Sequence, residues 1–257
     1  MEILWFKILS LLIIFATGLL AGIAPTRMSV SRQGKRQLTW GNAFSGGVFL
    51  GAGLLHMLPD AGENFKAFAG DVDFPFPALI CGAGFLLVLL LEKAALSGSE
   101  DVGTMSEGRP VYPFLLCFIL SIHSMIAGTS LGLEATLASA TAIFIAIIAH
   151  KGAAAFALGV SLKESDLPTF RHVVIICFFS AMTPLGVILG TVFSTILSGN
   201  ANAAFEAVFD GLAAGTFLYV AIVDIIEEVF EQPHDRWIKI LLISCGFGLM
   251  ALIAIWT

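Results

Sequence analysis

Four ionisable residues lie inside long apolar runs of this 257-residue chain: His123, His150, Lys151 and Asp224. An ionisable side chain at the centre of a membrane costs about 3 kcal/mol on insertion scales, so such residues usually line a cavity or an ion pathway. A single histidine at that depth is as often one half of a hydrogen bond between helices. Two histidines at one depth instead offer neutral imidazole nitrogens, which are common ligands of transition metals.

The two histidine segments resemble each other. Segments 123–132 and 150–159 share the initial histidine, an alanine four residues later, and a final Leu-Gly pair. Each histidine lies near the middle of its run, and consecutive spans are antiparallel, so we expect the imidazoles to meet at one depth. The glycines and alanines around them also fit plain tight helix packing. The paired histidines favour a mid-membrane metal site.

Acidic residues flank this predicted site along the chain. Asp224, with Glu227 and Glu228, forms one acidic helical face towards the end of the seventh apolar run. His56 and Asp60, four residues apart at the end of the second run, are placed to attract a cation. For Glu227, Glu228 and the His56–Asp60 pair, a purely interfacial role is the alternative. We predict that Asp224 lies deeper and lines a route for ions.

A proline motif, Thr183-Pro184-Leu185-Gly186, falls in the middle of the sixth apolar run. Proline leaves a backbone carbonyl of the helix without its usual partner, and that carbonyl can face a cavity or a ligand. A simple kink explains the motif equally well. The motif alone therefore does not assign Thr183 to the candidate site.

The composition determines which elements must position these residues. Hydrophobic residues make up 58% of the chain and charged residues 12%, which excludes an ordinary soluble fold. The net charge of −6 excludes a nucleic-acid-binding surface. The four cysteines lie singly in apolar runs, and we expect them to be small buried hydrophobic residues. A hydrocarbon core needs about 20 helical residues. We predict eight transmembrane helices in a single domain, residues 1–257, near 3–25, 41–60, 75–94, 112–133, 136–162, 170–198, 203–231 and 237–256.

Basic residues predict the orientation of these spans. Only Lys7 and Lys66 fall on one side of the membrane. Cytoplasmic connections carry the excess of Lys and Arg, so we place both termini outside the cytoplasm, in a plasma or inner membrane. We expect the first span to remain as a helix and not to be a cleaved signal peptide. The opposite, cytoplasmic group comprises Arg27, Arg32, Lys35, Arg36, Lys93, Arg109, Lys163, Arg171, Arg236 and Lys239.

The chain resembles the Zrt/Irt-like (ZIP) divalent metal transporters over nearly its whole length. The resemblance implies an all-α polytopic membrane protein whose first three and last three helices form an inverted repeat, a 3+2+3 arrangement, with the metal site on the fourth and fifth helices. The segments that carry it are 47–50, 55–60, His123-Ser124 with Gly128, His150-Lys151-Gly152 with 156–159, 182–186 and 213–220.

The resemblance also implies roles for individual residues. The primary metal site falls on His123 and His150, together with a glutamate four residues after each, but here those positions are Ala127 and Ala154. A second site would involve Ser124, Lys151 and Thr183, with the lysine ammonium standing where a second ion binds in other members. Asp224 matches an acid on the inner exit path and Asp60 an outer entrance acid. The connection 95–111 lacks the histidine cluster that many members carry there.

The sequence thus predicts a transporter that takes divalent metal, most of all Zn²⁺, into the cytoplasm by alternating access. Two imidazoles without a carboxylate leave the charge of a divalent ion uncompensated, so we expect weakened binding at the primary site. The alternative is a diverged or engineered protein of this fold that does not transport. A retinal-binding photoreceptor with a Schiff base on Lys151 and an intramembrane hydrolase using Ser124 are weaker alternatives. Besides metal ions and the lipid bilayer, a homodimer is left open as a partner.

Overall fold

The computed structural model describes residues 2–29, 31–97, 111–165, 167–193 and 200–256, and these residues are helical apart from short connectors. No strand is present among them. The connection 95–111 lies mostly outside the described residues. In chain order the helices are α1 (Glu2–Arg27), α2 (Arg32–Ala52), a first π-helical turn (Gly53–Met57), α3 (Leu58–Ala69), α4 (Phe76–Ser97), α5 (Val111–Leu133), α6 (Leu137–Glu164), α7 (Thr169–Phe193), α8 (Asn200–Tyr219), a second π-helical turn (Val220–Ile226), α9 (Glu227–Glu231) and α10 (Arg236–Ile253).

Seven helical segments in the described part of the chain are long and apolar enough to cross a membrane. The prediction of a polytopic all-α membrane protein is therefore confirmed. The helix that runs from α2 through α3 is not among the seven, because its middle carries polar and small residues such as Asn42, Ser45 and Gly46. These side chains are buried between other helices. The eighth span, near 41–60, stays a prediction.

The helices pair in a pattern that an inverted repeat would produce. α2 packs along α10 and α4 along α8, while α1 packs along α6 and α5 along α7. If a two-fold axis relates the first three spans to the last three, α1 corresponds to α7, α2 to α8 and α4 to α10. The pairs α2–α10 and α8–α4 are then equivalent, as are α1–α6 and α7–α5. This pairing supports the predicted repeat, which stays a prediction.

The same contacts divide the helices into two bundles. We call α1, α5, α6 and α7 the first bundle, and α2, α3, α4, α8 and α10 the second bundle. The bundles meet mainly where α2 crosses α6, with α5 touching α8 beside it. At this crossing the ring of Phe156 lies directly over the backbone of Gly41, where a larger residue would overlap the ring. The candidate site residues lie at this junction.

Two π-helical turns interrupt the second bundle, one in each of the two helices that the inverted repeat would relate. The first contains His56 and the second contains Asp224. A π-helical turn holds one extra residue relative to an α-helix and changes the direction in which the following side chains point. Such turns occur often at functional sites, and here each carries a residue singled out from the sequence.

Candidate metal centre

His123 and His150 meet in the interior of the molecule. They lie on α5 and α6, which a short turn joins, and the Thr136 hydroxyl caps α6 by accepting a hydrogen bond from Ser139 N at 3.2 Å. This tight connection makes the two helices antiparallel neighbours. The Nε2 atoms of the two histidines are 3.4 Å apart and both side chains are buried. The structure thus brings together the two residues that the sequence predicts as the core of the site.

The spacing of these nitrogens suits a tetrahedral metal ion. Two nitrogen ligands at 2.0–2.1 Å from zinc, separated by the tetrahedral angle, lie about 3.3 Å apart. The observed Nε2 separation of 3.4 Å is close to that value. The Nδ1 atom of His123 is buried without a hydrogen-bond partner in the described structure, whereas the His150 ring has a backbone hydrogen bond to Ala146, one turn earlier on α6.

The two alanines that replace the expected carboxylates lie in different surroundings. Ala154 is almost completely buried in the large hydrophobic core that also contains Phe217. Ala127 is half-buried and packs against a smaller core cluster that includes Ile14 and Leu131. Within the described residues, no group of three or more His, Cys, Asp or Glu side chains is arranged to hold a metal ion. A complete metal shell is therefore not formed by side chains alone.

Lys151 is fixed beside the histidine pair by three contacts. Its ammonium donates to Ser124 Oγ at 3.0 Å and to the Phe179 carbonyl oxygen at 3.2 Å, and it lies 3.7 Å from the centre of the Phe179 ring. The side chain is 2% exposed, which leaves no route by which it could extend to water. Thr183, the third predicted member of this second site, is buried nearby on α7, and its hydroxyl has no hydrogen-bond partner in the described structure. The amino group of Lys151 thus lies next to Ser124.

His56 and Asp60 extend the site towards one membrane surface. The ring centres of His56 and His150 are 6.1 Å apart, and His56 Nδ1 lies 3.0 Å from Asp60 Oδ2. One turn further, Asn64 donates a hydrogen bond to Asp210 of α8 at 3.3 Å. Sequence reasoning missed Asn64 and Asp210, although Asn64 continues the four-residue spacing of His56 and Asp60. Polar groups therefore lead from the histidine pair to the surface.

Phe217 of α8 packs against the histidine pair from the second bundle. Its ring centre lies 4.7 Å from that of His123 and 5.9 Å from that of His150, and the side chain is 1% exposed. The sequence offered no signal for this contact, because Phe217 belongs to an ordinary apolar run. The ring excludes water from one side of the imidazoles.

Towards the other membrane surface, Asp224 is half-buried in the second π-helical turn, and Glu227 and Glu228 are exposed. Near Asp224, the completely buried Tyr219 donates its hydroxyl proton to the Glu92 carboxylate of α4. Sequence reasoning also missed Glu92, which lies at the end of an apolar run. Acidic groups thus lie on both sides of the histidine pair along the membrane normal.

The two bundles of membrane-spanning helices meet at a buried imidazole pair, and carboxylates lie towards both surfaces. This arrangement is typical of polytopic membrane proteins with a cation pathway. Comparison with known proteins gives the family. The model of the ZIP zinc transporter family matches residues 4–111 and 95–254. The chain belongs to the ZIP zinc transporter family. Members of this family are transporters and not enzymes, and the chain is an integral membrane protein.

Individual relatives are 30% to 40% identical to this chain over the aligned residues. Zinc transporter ZIP1 of Danio rerio is 32% identical over 257 residues, which cover 84% of each protein. Zinc transporter ZIP2 of Mus musculus is 30% identical over 257 residues, 82% of this chain and 83% of the relative. Protein zntD of Dictyostelium discoideum is 40% identical over 165 residues, 63% of this chain and 24% of the relative.

Proposed function

We propose that this chain carries divalent metal ions, with zinc as the preferred cargo, into the cytoplasm through the site on α5 and α6. The observation that carries the proposal is the 3.4 Å separation of the His123 and His150 Nε2 atoms, which suits two ligands of one zinc ion. The names of the relatives, zinc transporters of mouse and zebrafish, support zinc over other divalent ions.

The location of the site between two bundles supports transport by alternating access. His123, His150 and Lys151 lie on the first bundle, whereas His56 and Phe217 belong to the second. Movement of one bundle against the other would open the imidazole pair first to Asp60 and then to Asp224, as rocking of repeats around a central site does in other transporters. In this scheme Asp60 collects the ion, with Asp210 beside it, and Asp224 passes it to the cytoplasm.

We propose further that binding at the primary site is weakened. Two neutral imidazoles do not compensate the charge of a divalent ion, and the ammonium of Lys151 repels it from the adjacent position. Ala127 and Ala154 provide no oxygen ligand. A bound ion completes its shell with water or with a rotated His56, since zinc takes four ligands and the described side chains offer two in place.

The structure gives little support to a photoreceptor. Schiff-base formation requires a free neutral amine, whereas Lys151 already donates to Ser124 and to the Phe179 carbonyl oxygen.

Uptake of radioactive zinc by intact cells that express the chain tests the proposal. We expect uptake above that of control cells, and its loss in His123→Ala and in His150→Ala. His172→Ala is the matched control, because His172 is a buried histidine of α7 that is not part of the pair. Uptake that survives loss of both paired histidines would overturn the assignment of the site. If the chain folds but takes up no zinc, the alternative of a protein of this fold that does not transport is correct.

A further inference from the structure

A wedge-shaped cavity separates α5 and α7 towards their N-terminal ends. At the other end the two helices touch: a side chain at Gly128 would overlap the Thr183 carbonyl oxygen, and one at Gly132 would overlap that of Val187. Because these contacts advance together along both helices, α5 and α7 are parallel. Near their N-termini large side chains hold them apart. The gap, which we call the α5–α7 wedge, has a volume of about 290 Å³ and is lined by Phe114, Cys117, Phe118, Val174, Ile175 and Phe178.

The α5–α7 wedge opens sideways onto the surface that faces the hydrocarbon. Phe118 and Phe178 are 60% and 54% exposed, and both belong to spanning helices. A molecule of water takes up about 30 Å³, and a methylene group is of similar size, so the cavity has room for a stretch of about ten such groups. Every lining side chain is apolar or a thiol. The cavity therefore suits a flexible hydrocarbon chain.

A positive charge lies one turn before the wedge, where the spanning helix α7 begins. Arg171 is exposed in the first turn of α7, where this span begins. It precedes Val174, Ile175 and Phe178 by three, four and seven residues, which places it on the helix face that lines the wedge. Basic residues at the ends of membrane helices attract anionic lipid headgroups. The order of groups along the membrane normal, a cation and then an apolar slot, matches an anionic phospholipid.

We propose that the α5–α7 wedge binds one acyl chain of an anionic phospholipid whose phosphate contacts Arg171. The lipid belongs to the leaflet at the N-terminal ends of α5 and α7. The proposal requires only that these helices span the membrane, so it is independent of metal transport. The lipid packs against the two helices that carry His123 and Phe179, and so it supports the part of the first bundle where glycine contacts are absent.

Native mass spectrometry of the purified protein with added phosphatidylglycerol or phosphatidylcholine of identical acyl chains tests the site. We expect one phosphatidylglycerol to be retained about fivefold more than phosphatidylcholine. Arg171→Gln should remove this preference, whereas Arg236→Gln, which changes an exposed arginine at the start of α10, should keep it. Val174→Phe should fill the wedge and lose the lipid, while Val173→Phe, on the adjacent position outside the lining, should retain it.

The unmodified chain provides a second measurement that does not depend on the folding of a variant. Phosphatidylglycerol with a photoreactive group in one acyl chain should cross-link to peptides that contain residues 114–118 and 174–178. Cross-links spread evenly over the exposed helices, or equal lipid retention by the chain and Val174→Phe, would overturn the proposal. If Arg171→Gln kept the preference for phosphatidylglycerol, the proposed contact between Arg171 and an anionic headgroup would be wrong. A dimer that Val174→Phe dissociates would identify a second copy as the occupant and would likewise overturn it.

Discussion

In the proposed metal site, the charges around His123 and His150 determine how strongly a divalent ion would bind. The side-chain nitrogen of Lys151 is held beside the pair by Ser124 and Phe179, so a positive charge on it would be fixed in place. Inside a membrane such a charge is poorly screened, because the surroundings lack water and salt. The site therefore combines good ligand geometry with unfavourable electrostatics, and substitutions that add negative charge should have large effects.

Restoring carboxylates should strengthen zinc binding. We expect Ala127→Glu with Ala154→Glu to bind zinc at least about tenfold more tightly than the chain itself, since a carboxylate beside the ion contributes several kcal/mol at an effective dielectric of about 20. Most of the gain should come from Ala127→Glu, because Ala154 is 3% exposed and packed in the core. Isothermal titration of zinc into each variant measures the change. Unchanged affinity in the double variant would mean that neither position faces the ion.

Removing the ammonium should make room for a second ion. In the background with both glutamates, Lys151→Asn should raise the metal content from one towards two ions per chain, because a unit positive charge 4 Å away opposes a second divalent cation by about 8 kcal/mol at an effective dielectric of 20. Elemental analysis by mass spectrometry gives the ratio. Lys163→Asn is the control, since Lys163 binds carbonyl oxygens at the end of α1, away from the site. A ratio that stays at one in a folded variant would leave Lys151 a purely structural residue.

At the scale of the helix, close backbone contact holds α5 to α7. Gly186→Ala should lower the melting temperature of the purified protein by about 3 to 6 °C, because its methyl group would overlap the Met125 carbonyl oxygen and overpacking costs about 1–3 kcal/mol. Gly248→Ala is the matched control. It lies in α10 with no heavy atom near its new methyl group, so it should keep or raise the melting temperature. Equal shifts in the two variants would contradict a glycine-dependent contact.

The sequence predicted most helices to within a few residues because long apolar runs and turn residues mark them well. The run near 112–133 became Val111–Leu133, and 136–162 became Leu137–Glu164. The second span was predicted near 41–60, whereas the helix continues from residue 32 to residue 69. Hydropathy misses these extensions because their exposed charged residues lie beyond the apolar stretch. The helical period alone could not locate the π-helical turns, since one extra residue changes the direction of side chains without changing composition.

The sequence predicted the part of the site that lies on two consecutive helices. His123, His150 and Lys151 stand out because ionisable residues are rare inside spans, and their meeting follows from consecutive antiparallel helices. Contacts between distant helices gave no such signal. Phe217 of α8 contacts the histidines, and Tyr219 of α8 contacts Glu92 of α4, through packing between helices that sequence order does not specify. Their partners could be found only from the structure.

At the scale of the whole molecule, orientation in the membrane determines which acids meet the ion first. Both termini should lie outside the cytoplasm. A cysteine at Ser29, in the exposed connection after α1, should react with an impermeant maleimide only after the cells are opened. A cysteine at Asp71, in the connection before α4, should react in intact cells. The reverse pattern would invert the topology and with it the direction of transport.

The hydrogen bond between the paired imidazoles has a consequence for how a metal ion enters. For one Nε2 to donate to the other, one ring must carry its proton on Nε2 and the other must carry its proton on Nδ1. A metal ion bound by both Nε2 atoms requires the second tautomer in both rings. Binding of a metal ion by both Nε2 atoms would therefore move one proton from Nε2 to Nδ1 of the donor ring. Metal capture by this pair would then include a tautomer change that leaves the number of bound protons the same.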